Sequence, residues 1–147
     1  MSTAPTLNGQ VIGQAHYATR AVLESLLAPD GITFHQVLAL NATADVGGGI
    51  ERDALVGRMT GGLKIDESAV LATIASLAAA GLLEDLPGDV ARVALTEEGR
   101  ALHGRIRTGT AAITERLYGD LPAEDLATAG RVLTLVTARA NAELADA

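Results

Sequence analysis

Apolar residues recur every three or four positions near both ends of the chain, which is the spacing of one face of an α-helix. The first segment, from about Asn8 to Ala28, ends before a Pro-Asp-Gly run that stops helices. Its apolar stripe comprises Leu7, Val11, Ala15, Ala18, Val22 and Leu26. The last segment has Pro122 in its first turn and repeats the pattern at Leu126, Ala129, Leu133, Val136, Ala140 and Leu144. The sequence therefore predicts a long helix at each end.

Shorter helices are predicted between these ends. Thr33 and Gln36 have the spacing of a capping box, so a helix starts there, and its apolar pattern fades by Ala44. A loop with three consecutive glycines follows. A short helix is then expected over about 51–60, ending at the glycine pair 61–62.

The next predicted helix has the clearest end signals. Asp66 is a good N-cap, and Glu67 lies in the positively polarised first turn. Gly81 is a natural stop at the other end. The residues expected to be buried on this helix are Val70, Ile74, Leu77 and Ala78.

Strand-like residues follow at 82–86 and 90–95, on either side of a Pro-Gly-Asp turn, and predict a β-hairpin. Thr96 and two glutamates then cap a long helix over 97–118, which Gly104 and Gly109 weaken. Two short helices joined by a glycine turn and followed by a hairpin are typical of a winged helix-turn-helix. We expect a mostly α fold with a small β-hairpin wing and long helices at both ends.

Composition supports a single helical domain. The 147 residues suffice for one core, and 48% are hydrophobic but only 2% aromatic, so the core should be aliphatic. The absence of cysteine excludes disulfides and thiolate metal sites. The N-terminus lacks a signal-peptide pattern, and the longest uncharged stretch, 68–83, is too short to span a membrane. We expect a cytoplasmic protein without a membrane partner.

Two motifs carry a family resemblance. LAAAGLLE at 77–84 and VALTEEGR at 93–100 resemble the end of the recognition helix and the wing-to-helix junction of the MarR (multiple antibiotic resistance regulator) family. The resemblance implies one MarR-like domain over 1–147, with a winged lobe at about 31–96 and dimerisation helices at about 8–28 and 97–145. It also implies a homodimeric regulator of transcription that binds operator DNA and responds to a ligand.

The residue pattern supports a homodimer independently of the resemblance. Two terminal helices with continuous apolar stripes have few partners within one small winged core. The alternative is that the two helices pair with each other inside a monomer.

The predicted recognition helix, Asp66 to Ala80, offers DNA bases the hydroxyls of Ser68, Thr73 and Ser76. The other DNA-binding candidates are cations of the winged lobe, Arg52, Arg58, Lys64 and Arg92. The resemblance implies a wing arginine that enters the minor groove, a role that would fall to Arg92.

Charge weighs against strong DNA binding. The chain has a net charge of −7, and residues 50–99 hold four basic and nine acidic residues, a net charge of −5. Affinity for DNA depends on the number of phosphates neutralised, so we expect modest binding with a shallow salt dependence.

The resemblance also implies a ligand cleft between the dimerisation helices and the DNA-binding lobe, suited to a small aromatic or phenolic effector. The candidate lining residues are His16, Tyr17, Arg20, Phe34, His35, His103 and Arg107. The three histidines lack the close spacing of a metal site, so neither a metal nor a cofactor is expected.

Two alternatives to a DNA-binding regulator follow from the residues. A winged-helix module for ligand or protein binding, with weakened or lost DNA binding, would fit the uncharged recognition helix, and an exposed Leu71 would then mark a protein contact. An enzyme is disfavoured, because the acidic pairs lie in first turns of helices and the glycine run 47–49 lacks a following Lys-Ser/Thr.

Overall fold

The computed structural model of the protein describes residues 4–147. The helices are α1 (Gly9–Leu27), α2 (Phe34–Asp45), α3 (Arg52–Leu63), α4 (Glu67–Ala79), α5 (Glu97–Tyr118) and α6 (Ala123–Asp146), and a short 3-10 turn, Ala28–Asp30, follows α1. Three strands, β1 (Ile50–Glu51), β2 (Leu83–Leu86) and β3 (Arg92–Leu95), form an antiparallel sheet in the order β1-β3-β2. Among these residues, no helix combines the length and apolarity needed to cross a membrane. The predicted mostly α fold with a hairpin wing is confirmed.

The predicted helix caps are present. The amide of Gln36 donates to the Thr33 hydroxyl at 3.1 Å, and the amide of Thr33 donates to the Gln36 side chain at 2.9 Å, which completes the capping box of α2. Asp66 accepts from the amide of Ala69 at 2.9 Å and caps α4. These capping signals predicted the starts of α2 and α4 correctly. A cap accepts from the first backbone amides of a helix, which have no carbonyl partner within the helix.

The structure corrects the prediction around α3. Glu51 does not begin this helix but pairs with Arg92 across β1 and β3. β1 has only two residues, too few for the alternation of a strand to show in the sequence. The helix also does not end at the glycine pair 61–62, because it runs on to Leu63. Lys64 adopts the left-handed conformation (φ 57°) that ends it, and the Lys64 amide donates to the Thr60 carbonyl at 3.1 Å.

Smaller corrections concern three other positions. Ala78 is exposed rather than buried, because the core face of α4 consists of Val70, Ile74 and Leu77. Val90 precedes β3 instead of belonging to it. Pro122 occupies the N-cap position of α6, one residue before its first turn.

The chain forms two compact units, of which the first ends at Ala111 and the second is Ala112–Ala147. The first unit has an aliphatic core to which α1 to α5 each contribute. Leu27, Leu40, Leu55, Leu77 and Ile106, one from each helix, are all at most 4% exposed. The only phenylalanine is half-buried, so this core contains no aromatic ring among its buried residues.

The second unit consists of the end of α5 and the whole of α6, and none of its residues is buried. Its exposed large apolar side chains are Leu117, Tyr118, Leu121, Leu126, Leu133, Leu135, Val136 and Leu144, at 37–59% exposure. In the first unit, most of the apolar stripe predicted on α1 is exposed as well. Only Val11 and Leu26 of that stripe are half-buried. Exposed apolar side chains in this number are a feature of interaction faces.

The junction between the wing and α5 explains the motif that carries the resemblance. The Thr96 hydroxyl donates to the Gly81 carbonyl at 2.6 Å and accepts from the Gly99 amide at 2.9 Å. The Thr96 amide donates to the Leu82 carbonyl at 3.1 Å. A Cβ on Gly99 would collide with that same carbonyl oxygen, so only glycine fits there.

We predict that Gly99→Ala destabilises the protein by about 1–3 kcal/mol, because the added methyl forces α5 away from the Leu82 backbone. Gly104→Ala on the same helix is the matched control. Its Cβ would meet nothing within 4 Å, so helix propensity should make this variant more stable by up to about 1 kcal/mol. Urea unfolding of both variants measures the difference, and equal effects would contradict the proposed close approach.

Candidate DNA-binding surface and ligand cavity

The three hydroxyls predicted to contact DNA are all engaged within the protein. Ser68 donates to the Asp66 carboxylate at 2.8 Å, and the half-buried Thr73 donates to the Ala69 carbonyl at 2.9 Å. Ser76 donates to the Thr73 carbonyl at 2.7 Å and accepts from the Gln36 side chain of α2 at 3.0 Å. Ser76 therefore faces α2, whereas Ser68 lies at the exposed start of α4.

The exposed side of α4 is lined by small residues. Ala72, Ala75 and Ala79 are exposed and follow Ser68 at helical spacing. Leu71 is half-buried rather than projecting freely into solvent. The pKa of Asp66 is lowered, first by the hydrogen bond from the Ala69 amide and then by the Ser68 hydroxyl, so this carboxylate stays charged at the helix start. A nearby DNA phosphate would meet that negative charge.

Each cation predicted to contact DNA also has an internal partner. Arg52 lies 4.0 Å from Asp85, and Arg58 lies 3.2 Å from Asp45. Lys64 donates to the Gly61 carbonyl at 2.5 Å. Arg92 donates to the carbonyl of Gly49 at 3.1 Å and more weakly to that of Gly48 at 3.4 Å. Each cation keeps further N–H donors for a phosphate, although the Arg52 and Arg58 carboxylate partners offset part of their positive charge.

Five of the seven predicted ligand-binding residues come together between α1 and α2. The rings of His16 and Phe34 meet edge to face at 6.1 Å, and Tyr17 and His35 each have a ring within 6.1 Å of one of these two. The Arg20 guanidinium stacks over the Phe34 ring at 4.2 Å and forms an ion pair with Glu24 at 3.2 Å. We call His16, Tyr17, Arg20, Phe34 and His35 the aromatic cluster.

The other two, His103 and Arg107, lie elsewhere in the first unit. They line a cavity of about 430 Å³ between α5, the end of α2, the glycine loop 47–49 and the wing. We call it the wing cavity. Two other charged residues of the cavity, Arg100 and Glu84, were not predicted from the sequence. Arg100 lies one helical turn before His103, and this spacing could have indicated that the two share one face of α5.

His103 is a buried side chain of the wing cavity, and its Nε2 donates to the side-chain oxygen of Asn41 at 3.0 Å. Burial is the main cause that lowers the pKa of His103, and the nearby Arg107 lowers it further, although Asp45 opposes them. The imidazole is therefore neutral at neutral pH, and the positive charge of the cavity resides on its arginines. Within residues 4–147, no group of potential ligands could hold a metal ion.

Several solved structures resemble this chain over nearly its whole length. A mutant of MarR from E. coli complexed with operator DNA has a TM-score of 0.74, with 23% identity over 87% of this chain and 91% of that one. PcaV from Streptomyces coelicolor, in complex with its natural ligand, has a TM-score of 0.73, with 22% identity over 95% and 99%. CouR from Rhodococcus jostii, bound to p-coumaroyl-CoA, has a TM-score of 0.76, with 16% identity over 88% and 90%.

The chain has the MarR fold. No family model matches the sequence, and a search of curated proteins gives no match either. The MarR fold is therefore established by backbone similarity at low identity, and it confirms the fold that the motifs at 77–84 and 93–100 imply.

We predict that stability falls as the pH drops below about 6.5, the ordinary value of a histidine. The pKa of His103 is lowered in the folded protein, so the unfolded chain takes up a proton that the folded chain refuses, and acidification favours unfolding. His103→Gln should flatten the profile of unfolding free energy between pH 7.5 and 5.5. The exposed His16→Gln is the control and should keep the wild-type slope; parallel profiles for all three proteins would refute the assignment.

Proposed function

We propose that this protein is a homodimeric transcriptional regulator that binds operator DNA and responds to a small ligand. The observation that carries the proposal is the lobe formed by α3, α4 and the wing, in a fold shared with a regulator solved on its operator. In such a lobe α4 enters the major groove, and the hairpin reaches the neighbouring backbone or minor groove. Because the proposed partner is DNA, we expect the protein to act in the cytoplasm. We also expect the chain to form one MarR-like domain and to have no enzymatic activity.

Contacts to DNA are proposed to come mainly from the four cations of the lobe. Arg52, Arg58, Lys64 and Arg92 have exposed or half-buried side chains with weak surface partners, which phosphates can replace. Ser68 is the hydroxyl best placed for a base contact. Thr73 and Ser76 would contribute less, because Thr73 is half-buried and Ser76 also binds the Gln36 side chain of α2.

The second copy in the proposed dimer would cover the apolar surface of the second unit and of α1. Leu133 and Val136 lie one turn apart on α6 and are 37% and 41% exposed. Burial of a fully exposed aliphatic side chain of this size contributes about 1.5–3 kcal/mol, and covering the fraction exposed here contributes a corresponding part of it. Several such residues supply enough apolar surface for a stable interface between two copies of the chain.

The effector is proposed to be a small aromatic or phenolic molecule, and the chain offers two places for it. The aromatic cluster presents rings and one cation, and the wing cavity presents two arginines with apolar walls. Two neighbours in the same fold carry ligands, p-coumaroyl-CoA in one and a natural ligand in the other. A ligand that prefers one arrangement of the lobe would shift DNA affinity.

We predict that the purified protein selects a duplex from random DNA and that the slope of log affinity against log salt is no steeper than about −7. Each neutralised phosphate contributes roughly −0.9 to the slope of log affinity against log salt, so eight cations in a dimer bound the slope at roughly −7. Fluorescence anisotropy at several salt concentrations measures it. Arg92→Ala should weaken binding and flatten the slope, whereas Arg105→Ala, the loss of an α5 cation that faces Asp30, should not. Failure to bind any duplex at low salt would exclude the proposed function.

We predict that sedimentation reports twice the 15.0 kDa mass of one chain. The pair Leu133→Glu and Val136→Glu should shift the protein to a single chain, because charge on the apolar side of α6 opposes its burial. Ala127→Glu with Thr134→Glu adds the same charge to a side of α6 away from both Leu133 and Leu135 and should leave the dimer intact. Circular dichroism checks that both variants keep their helices, and a wild-type monomer at micromolar concentration would contradict the proposal.

A further inference from the structure

A second cavity, between α3 and the wing, brings two arginines together. Arg58 of α3 and Arg92 of β3 both line it, and its volume is about 540 Å³. The exposed Val46 and Val90 line it as well, and Glu51 is the only carboxylate among its lining residues. We call this cavity the arginine cleft. A concave site with two guanidinium groups is suited to an anionic group.

Both guanidinium groups are anchored by the protein and still have donors available. Arg92 uses one terminal nitrogen for two carbonyls of the glycine loop 47–49, which leaves its other N–H groups available. Arg58 donates once from each terminal nitrogen, to the Asp45 carboxylate and to the Ala42 carbonyl, and keeps three N–H groups. The acceptors of Arg92 are neutral, so no ion pair within the described part of the chain offsets its charge.

The wing itself is acidic. Residues 83–91 include Glu84, Asp85 and Asp89, all exposed, and no basic residue. The minor groove of DNA has a negative potential that attracts cations, so it repels an acidic hairpin. Arg92 lies behind the tip of the wing, at the start of β3, and its guanidinium bonds back to the glycine loop. The wing is therefore poorly suited to carry an arginine into the minor groove.

The two arginines come from the two elements of the lobe that are expected to meet the DNA backbone. In a winged helix-turn-helix the first helix of the pair, here α3, crosses the backbone, and the hairpin lies close to the neighbouring phosphates. A phosphodiester shares one negative charge between two free oxygens, so each oxygen can accept from a different guanidinium. Val46 and Val90 provide apolar surface for the adjoining deoxyribose. The cleft thus fits one backbone phosphate and its sugar.

We propose that the arginine cleft binds one phosphodiester group of the DNA backbone between Arg58 and Arg92, while the wing stays outside the minor groove. This inference rests on the proposed function and narrows it, because Arg92 receives a backbone contact in place of the minor-groove role that the resemblance implies. Both arginines act on the same phosphate, so the loss of either one removes most of the benefit of that contact. The wing then adds affinity without reading sequence, and base readout is left to α4.

The phosphate contact is tested on a duplex recovered by selection from random DNA, with each phosphate in turn replaced by an uncharged methylphosphonate. Anisotropy should show one position in each half-site at which the wild type loses at least about tenfold in affinity, because a charge-assisted hydrogen bond is lost with the charge. Arg58→Ala and Arg92→Ala should both lose this sensitivity. Arg52→Ala, which removes an α3 cation that does not line the cleft, should retain the wild-type sensitivity at that position.

The position of the wing is tested on the same duplex with 2,6-diaminopurine in place of adenine, which adds an amine in the minor groove and leaves the major-groove edge unchanged. The wild type should bind this duplex within about twofold of the original. The wild-type protein alone reports the critical phosphate and the effect of diaminopurine, and circular dichroism confirms that the three variants are folded.

A scan without a position shared by Arg58 and Arg92, or a larger loss with diaminopurine, would overturn this inference and leave the proposed function intact. Failure to bind any duplex would overturn both.

Discussion

One threonine fixes the winged lobe against the start of the long helix α5. Thr96 links the turn after α4 to the first turn of α5, because its hydroxyl bonds to Gly81 and Gly99 at once and its amide bonds to Leu82. The lack of a side chain at Gly99 lets the two backbones meet closely enough for these bonds to form. The direction of α4, the position of the wing and the α5 wall of the wing cavity all depend on this junction.

The same lobe keeps its polar groups satisfied without a partner. The hydroxyls of α4 donate to backbone or to the Asp66 carboxylate, and the cations around α4 pair with carboxylates or carbonyls. In the proposed complex with DNA, the cations that pair with carboxylates would contribute less than free cations, because part of their charge is already neutralised. These ion pairs and the net negative charge would both keep the affinity of the proposed complex moderate.

Local signals in the sequence predicted most of the fold. The capping box at Thr33 and the Asp66 N-cap set the starts of α2 and α4 because they act within four residues. Features set by distant contacts could not be predicted. β1 exists only because β3 lies beside it, and Ser76 turns to α2 because Gln36 is there to bond with it. For the same reason, the seven ligand candidates could not be divided between the aromatic cluster and the wing cavity before the packing of α1, α2 and α5 was known.

The exposed second unit has a consequence for how long the protein survives. None of the side chains of residues 112–147 is buried, so in the proposed homodimer a second copy would supply packing that stabilises their helices. By mass action, the melting temperature of such a protein rises with its own concentration. In such an assembly, scarce chains would remain open to proteases whereas abundant chains would protect one another, so the amount of the protein would influence its own turnover.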